Sequence, residues 1–244
     1  KSPGDGYTLM VGTIGIHAAY GSYKKLTYNP ATELQPIAIL GEAPNLVVVP
    51  ANSPYKNFGD FLADVKAHPG KINYASLGVG SQPHVAMEAW AQRLGIKLNH
   101  VPYKTNPSPD VMSGVVSLSI EASTTAIPLI KGGKVKGLAI SGAERIANLP
   151  DVPTMTEFGS TLDVNGQIGS SWHGIFAPKA TPDDVVAKLN TEIVKIVKLP
   201  EIQSRMRDLG LTPTGTSADA MTAVATADNV FWAKLIKDFD IKVE

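Results

Sequence analysis

The sequence predicts an α/β chain, and three observations carry that reading. Short apolar runs of strand length alternate with amphipathic helical periods, proline or glycine punctuates most of the boundaries, and a glycine-rich turn sits between one strand and the helix after it. Alternation of this kind predicts largely parallel sheets, whose strands are linked through helices. No internal repeat or low-complexity tract interrupts it.

In chain order, Tyr7 to Gly12 and Leu46 to Pro50 read as buried strands. A helix is expected from about Asp60 to His68, with Phe58, Phe61, Leu62 and Val65 on its apolar face and Pro69-Gly70 as its stop. Ile72 to Ser76 is strand-like, Gly78 and Gly80 permit a tight turn, and Pro83 suits a first helical turn that Ser81 or Gln82 would cap. Met87, Trp90 and Leu94 continue that helix at spacings of three and four. Asn99 to Tyr103 and Val115 to Ile120 are further strands, separated by the proline-rich loop Thr105 to Pro109. Ala126 to Lys131 is a short helix ended by Gly132-Gly133, and Val135 to Ser141 is another strand.

From Gly142 to Gly169 the pattern loosens into a long surface connection. Ser171 to Pro178 contains a strand, and Thr181-Pro182-Asp183-Asp184 opens a helix with a cap, a proline and two acids against the dipole. Val185, Val186, Leu189, Ile193, Ile196 and Val197 form the expected buried face of that helix. A second helix runs from Pro200 to Leu209, closed by Gly210. A third runs from Ser217 to about Lys237, with Met221, Val224, Ala225, Trp232 and Leu235 inward.

At 244 residues and 43% hydrophobic, the chain is large enough for one domain or two lobes with real cores. Lys plus Arg number 22 and Asp plus Glu 22, so no basic field attracts nucleic acid or an anionic membrane surface. The absence of cysteine excludes disulfides, thiolate metal sites and a cysteine nucleophile, and it does not assign a compartment. No apolar run approaches the length of about 18 residues that suggests a membrane span, so no direct membrane insertion is expected. The opening Lys-Ser-Pro-Gly-Asp-Gly lacks the apolar region of a secretory signal, which was either removed or never there.

The turn at residues 78 to 84 is the strongest ligand candidate. The first amides of a helix lack intrahelical partners and carry the positive end of its dipole, so a carboxylate or phosphate is stabilised there without Lys or Arg. The glycines could also simply turn the chain, but Ser81, Gln82 and His84 around them favour a polar ligand. A dinucleotide fingerprint is not met, because proline stands where the third glycine should be, and no phosphate-loop motif occurs. Hence no cofactor is expected.

The histidines are His17, His68, His84, His100 and His173, with no pair at ligand spacing, so no metal site is expected. His68 suits a helix end and His100 a structural role. His17 follows the first strand, where ligands of α/β sheets gather, and it either contacts the site or caps a helix. No nucleophile elbow is present, and Ser81 with His84 makes only a weak dyad, so no catalytic residue is assigned. Glu121 ends a strand and either meets a ligand's hydroxyl or amine or is solvated. Tyr103 and Trp172, at strand boundaries, either fill the core or wall a pocket.

The chain resembles the Bug proteins, the solute-binding components of tripartite tricarboxylate transporters, along nearly its whole length. The resemblance rests on Asp5-Gly-Tyr-Thr-Leu-Met-Val-Gly-Thr13 with His17-Ala18, Pro69-Gly-Lys-Ile-Asn-Tyr-Ala-Ser76, and the turn from Gly80 to His84. His100-Val-Pro-Tyr-Lys104, Pro128 to Lys134, Leu149-Pro-Asp-Val-Pro-Thr154, Ser171-Trp172 with Gly174, and Ala177-Pro178 complete it. Each segment is weak alone, and their order is specific.

The resemblance implies a two-lobed type II periplasmic-binding-protein fold that closes on a ligand. Residues 1–46 and 170–244 would form the first lobe and residues 47–169 the second. It also implies ligand contacts at Thr13 and His17, at Gly80, Ser81, Gln82 and His84, and at Glu121, Thr124 and Thr125, with Trp172 near the crossing between lobes. Three departures stand out. Family chains place a strand, a loop, a helix and a second strand before the Asp-Gly-Tyr motif, so the first lobe is expected to be incomplete. Glu121-Ala122 stands where the family usually has Asp-Asn, and the loop after Tyr103-Lys104 lacks the usual glycine.

The function expected from this resemblance is that of a periplasmic, non-catalytic protein. It would capture a small carboxylate, such as a dicarboxylate, tricarboxylate or aromatic acid, and deliver it to membrane permease subunits. The alternatives are a sensor subunit presenting its ligand to a receptor, a small-ester hydrolase using Ser81 and His84, and a scaffold with an empty cleft.

Overall fold

The computed structural model describes residues 2–15, 29–142, 144–159, 170–238 and 240. In chain order the elements are β1 (Met10–Thr13), α1 (Pro30–Glu33), β2 (Leu34–Pro50), α2 (Phe58–Ala67), β3 (Asn73–Ser76), α3 (Gln82–Leu94), β4 (Asn99–Pro102), α4 (Ser108–Ser113), β5 (Leu118–Ala122), α5 (Ser123–Lys131) and β6 (Val135–Ile140). A 3-10 turn at Met155–Phe158 precedes β7 (Ser170–Pro178), α6 (Asp183–Val197), α7 (Pro200–Asp208), β8 (Thr212–Pro213) and α8 (Ala218–Asp238). The chain divides into two compact units, one from residues 1–43 and 171–234, the other from 44–170 and 235–243.

In the first unit β1 pairs antiparallel with β7, Met10 opposite Phe176 and Thr13 opposite His173. The first part of β2 pairs antiparallel with β8 at Gly41 and Glu42. Ile37, Ala177 and Val186 form a buried cluster with Ile175, Leu189 and Ile193 against it. This packs the odd-numbered face of β7 onto α6, as the two-residue period of a strand requires. On the opposite face, a Cβ built on Gly174 would lie 2.5 Å from Met221 Cε and 3.1 Å from Ala38 O. The glycine therefore lets α8 approach the strand closely. Trp172, on that face too, is buried and donates its indole N–H to Asp228 Oδ2 at 2.7 Å.

Several expectations are corrected here. The stretch from Tyr7 is not a buried strand, because Tyr7 is 93% exposed and β1 starts only at Met10. The Tyr7 amide donates to Asp5 Oδ1 at 3.0 Å and Gly6 takes φ 81°, a side-chain-closed turn that delays the strand. Thr181 does not cap α6; Pro182 holds that position, and the Thr181 hydroxyl donates to Pro178 O at 2.7 Å, closing the turn after β7. Ile196 is 50% exposed, since the inward stripe of α6 follows residues 186, 189, 193 and 197. Val224 lies one residue off the stripe of Met221, Ala225, Trp232 and Leu235, and it is exposed.

In the second unit β3 pairs parallel with both β4 and β5, while the later part of β2 pairs antiparallel with β5 and β6. The sheets are thus mixed, and largely parallel pairing holds only around β3. Leu46, Val48, Val111, Ala126, Ile127, Val135 and Ile140 form a buried cluster, and the Phe58 ring packs on Phe61 and Trp90. Val115 is exposed rather than the start of a strand. Gly114 ends α4 at φ 80°, and the next two amides bond back to Asp110 O, so extended backbone resumes only at Leu118. The proline-rich stretch read as loop contains the start of α4, with proline in its first turn.

Candidate functional site

β3, β4 and β5 run parallel, so their carboxyl ends meet at one edge of the second unit. Ligands of open α/β sheets gather at such an edge. β3 ends at Ser76, and the chain reaches α3 through Gly78 at φ 112° and Gly80 at φ 76°, conformations that favour glycine. The Ser76 hydroxyl donates to Gly78 O at 3.1 Å and accepts the Gly78 amide at 3.2 Å. The Ser81 hydroxyl donates to the same carbonyl at 2.7 Å.

Ser81 does occupy the N-cap of α3, but its side chain makes no capping hydrogen bond, which corrects the expected cap. The carbonyl of Gly78 captures it instead. The Gly80 amide donates to His84 Nδ1 at 3.0 Å. That amide is therefore used within the loop. The same two bonds leave Ser81 and His84 unpaired as nucleophile and base, because the serine proton and the imidazole lone pair are both directed to backbone groups.

Beneath the loop lies a column of rings. His84 stacks on His100 with centroids 4.0 Å apart, and His100 stacks on Tyr74 at 4.8 Å. His100 Nε2 lies 2.7 Å from Ser76 Oγ. With the serine proton directed to Gly78 O, the imidazole N–H is the donor in that pair. Burial holds the His84 ring below the ordinary histidine range against the opposing pull of Glu88. Burial, and then the neighbouring His84, push His100 down to about 4. Burial and a 2.6 Å hydrogen bond to Glu88 raise the Tyr74 phenol. The column is a neutral polar support for the glycine loop.

At the end of β5, Glu121 is 6% exposed; it accepts from Ser119 Oγ at 2.8 Å and from Ser108 Oγ at 2.8 and 2.9 Å. Both of its oxygens face these internal hydroxyls, which corrects its reading as a solvated acid. Ala122 precedes α5 without a side-chain cap, and Thr124 and Thr125 lie in the first turn, half-buried and exposed respectively. Gln82, the first residue of α3, is buried and accepts from Asn45 Nδ2 at 3.2 Å.

Asn45 is a buried polar residue of this edge that sequence reasoning missed. It sits on β2 directly opposite Ala122, at the same edge. The available signal was a polar residue opening an otherwise apolar strand, Pro44-Asn-Leu-Val-Val-Val49.

The remaining sequence candidates belong to the first unit. Thr13 closes β1, its hydroxyl oxygen accepting the Gly15 amide at 3.3 Å. Trp172 is held by Asp228 as described above. His17 lies outside the described residues. Among the described residues, no group of three His, Asp or Glu could hold a metal ion, and no helix is long and apolar enough to cross a membrane.

Two α/β units, the second with loops at the carboxyl ends of its parallel strands, have the architecture of the periplasmic binding proteins. The structure of the periplasmic binding protein BugD is similar over 100% of this chain and 82% of its own, at 30% identity and a TM-score of 0.87. A Rhodopseudomonas palustris protein solved with adipate matches over 100% of this chain and 81% of its own, at 31% identity and a TM-score of 0.90. MatC from the same organism, with bound malate, matches over 96% and 81%, at 29% identity and a TM-score of 0.82. Residues 1–241 match the tripartite tricarboxylate transporter family receptor, TctC, and the chain belongs to that family.

Proposed function

We propose that this protein captures a small dicarboxylate in the periplasm and delivers it to the permease subunits of a tripartite tricarboxylate transporter. The observation that carries this reading is the pair of helix starts at one sheet edge. α3 and α5 follow the parallel neighbours β3 and β5, and at neither does the N-cap residue, Ser81 or Ala122, make a capping side-chain hydrogen bond. Their amides and dipoles offer anion stabilisation at two points without a cation. The similar proteins solved with adipate and malate hold ligands of this class, two carboxylates on a short carbon chain. Gln82, Thr124 and Thr125 stand at these two helix starts and are the proposed side-chain contacts. No step of chemistry is assigned, and Ser81 and His84 serve the shape of the loop.

Thermal-shift and calorimetric titration with adipate, malate, and monocarboxylates of the same length test this. A dicarboxylate at about 100 times its dissociation constant adds about 2.7 kcal/mol of stability by mass action, a clear rise in melting temperature. A protein whose melting is unmoved by every acid overturns the proposal.

A further inference from the structure

We infer that Asn45 is a specificity-determining residue of this carboxylate site, donating a side-chain N–H to an oxygen of the ligand. The inference rests on the carboxylate reading and deepens it. Asn45 is 3% exposed and lies opposite Ala122, the residue that precedes α5, so its carboxamide stands at the edge where β3 and β5 end. A carboxamide carries two N–H donors and an acceptor oxygen. Among the described residues, the Asn45 side chain makes one hydrogen bond, from Nδ2 to Gln82 Oε1 at 3.2 Å. That bond orients the amide and leaves its second N–H for a ligand.

Neighbouring groups make this donor rigid. The Asn45 amide donates to Ser141 Oγ at 2.8 Å, Ser141 Oγ donates to Asn45 O at 3.0 Å, and the Ser141 amide donates to the same carbonyl at 2.8 Å. The residue is thus clamped through its backbone while only its side chain faces the edge. A donor held this way loses little freedom when a ligand arrives. Nor does Glu121 compete for it, since its carboxylate is engaged by Ser108 and Ser119. Ala122 is too short to cover it. A neutral donor suits a carboxylate or hydroxyl oxygen, and an acidic side chain in its place would repel one.

The test is calorimetric titration of adipate and malate into the wild-type protein, Asn45→Asp and Asn45→Ala, with melting temperatures recorded. In Asn45→Asp the face toward the ligand becomes anionic. The expected result is a loss of affinity of about tenfold or more in Asn45→Asp, and a smaller loss in Asn45→Ala that differs between the two acids. Should both variants fail to fold, the Asn45 side-chain amide resonance of the wild-type protein serves instead, and it must shift on titration. Unchanged affinities in folded variants, or an unmoved resonance in a protein that binds, overturn the role of Asn45 alone. A wild-type protein that binds no carboxylate overturns the site reading itself.

Discussion

Acidification from pH 8 to pH 5 should destabilise this protein through its stacked imidazoles, and His100 allows the size to be worked out. In the folded chain its ring is pushed from 6.5 down to about 4 by burial first and by His84 second. A base held neutral in this way contributes full stability above 6.5 and loses it as pH falls toward about 4, because the unfolded chain takes up the proton first. At pH 5 the unfolded group lies about 1.5 pH units into its protonated range, which corresponds to about 2 kcal/mol. Solvent reaches part of the ring, and discounting for that leaves about 1 kcal/mol. His84 acts in the same direction, since a proton on Nδ1 would confront the Gly80 amide that now donates to it.

The comparison to make is with His100→Phe, which preserves a ring between Tyr74 and His84 but cannot titrate. At pH 8 this variant should be less stable by about 1 kcal/mol, for the lost hydrogen bond to Ser76. Urea denaturation at pH 8, 6.5 and 5 should show that gap closing by about 1 kcal/mol as the wild type loses its pH-dependent part. Parallel pH profiles for the two proteins would refute the reasoning, because His68 and His173 are common to both.

Trp172→Phe removes the indole donor of a buried carboxylate, so chemical denaturation should show a loss of about 1 to 3 kcal/mol, larger than for an exposed aromatic. Gly174→Ala places a methyl group 2.5 Å from Met221 Cε and 3.1 Å from a backbone oxygen, and should cost about 1 to 3 kcal/mol of stability, read as a lower unfolding midpoint. Gly78→Ala forces a side chain into φ 112° at the glycine loop. Carboxylate affinity measured by calorimetry should then fall, with a cost in stability of about 1 to 3 kcal/mol. Phe61→Ala empties a position 1% exposed in the second unit and should cost about 3 to 5 kcal/mol by urea titration.

The α/β class and the family resemblance were legible because both are local. Pro182-Asp183-Asp184 starts a helix from its own backbone and charge preferences, and Gly78 and Gly80 announce a turn that other residues cannot make without strain. What the sequence did not reveal is how polar groups are shared across elements. Whether the Gly80 amide faces a ligand or His84 depends on a ring position fixed by stacking on His100. The Glu121 partner Ser108 arrives from a helix hidden in a proline-rich stretch. Asn45 reaches this sheet edge only through the register of β2 on β5. Strand direction was misjudged for a related reason. Alternating helices and strands suggested parallel pairing, whereas β2 takes antiparallel neighbours in both units.

The 17-residue strand β2 has a consequence for how such a chain can be made. Its first residues, through Ala43, belong to one unit and its last, from Pro44, to the other. No single cut therefore yields two clean halves, and expressing either unit alone would need splicing as well as trimming. Synthesis from the N-terminus supplies residues 44–170 as one unbroken stretch, whereas the first unit waits for residues 171–234, and residues 235–243 of the second unit come last. The unbroken stretch can begin to fold while the rest is still being translated, and the long-range closure of the first unit should set the slow phase of refolding.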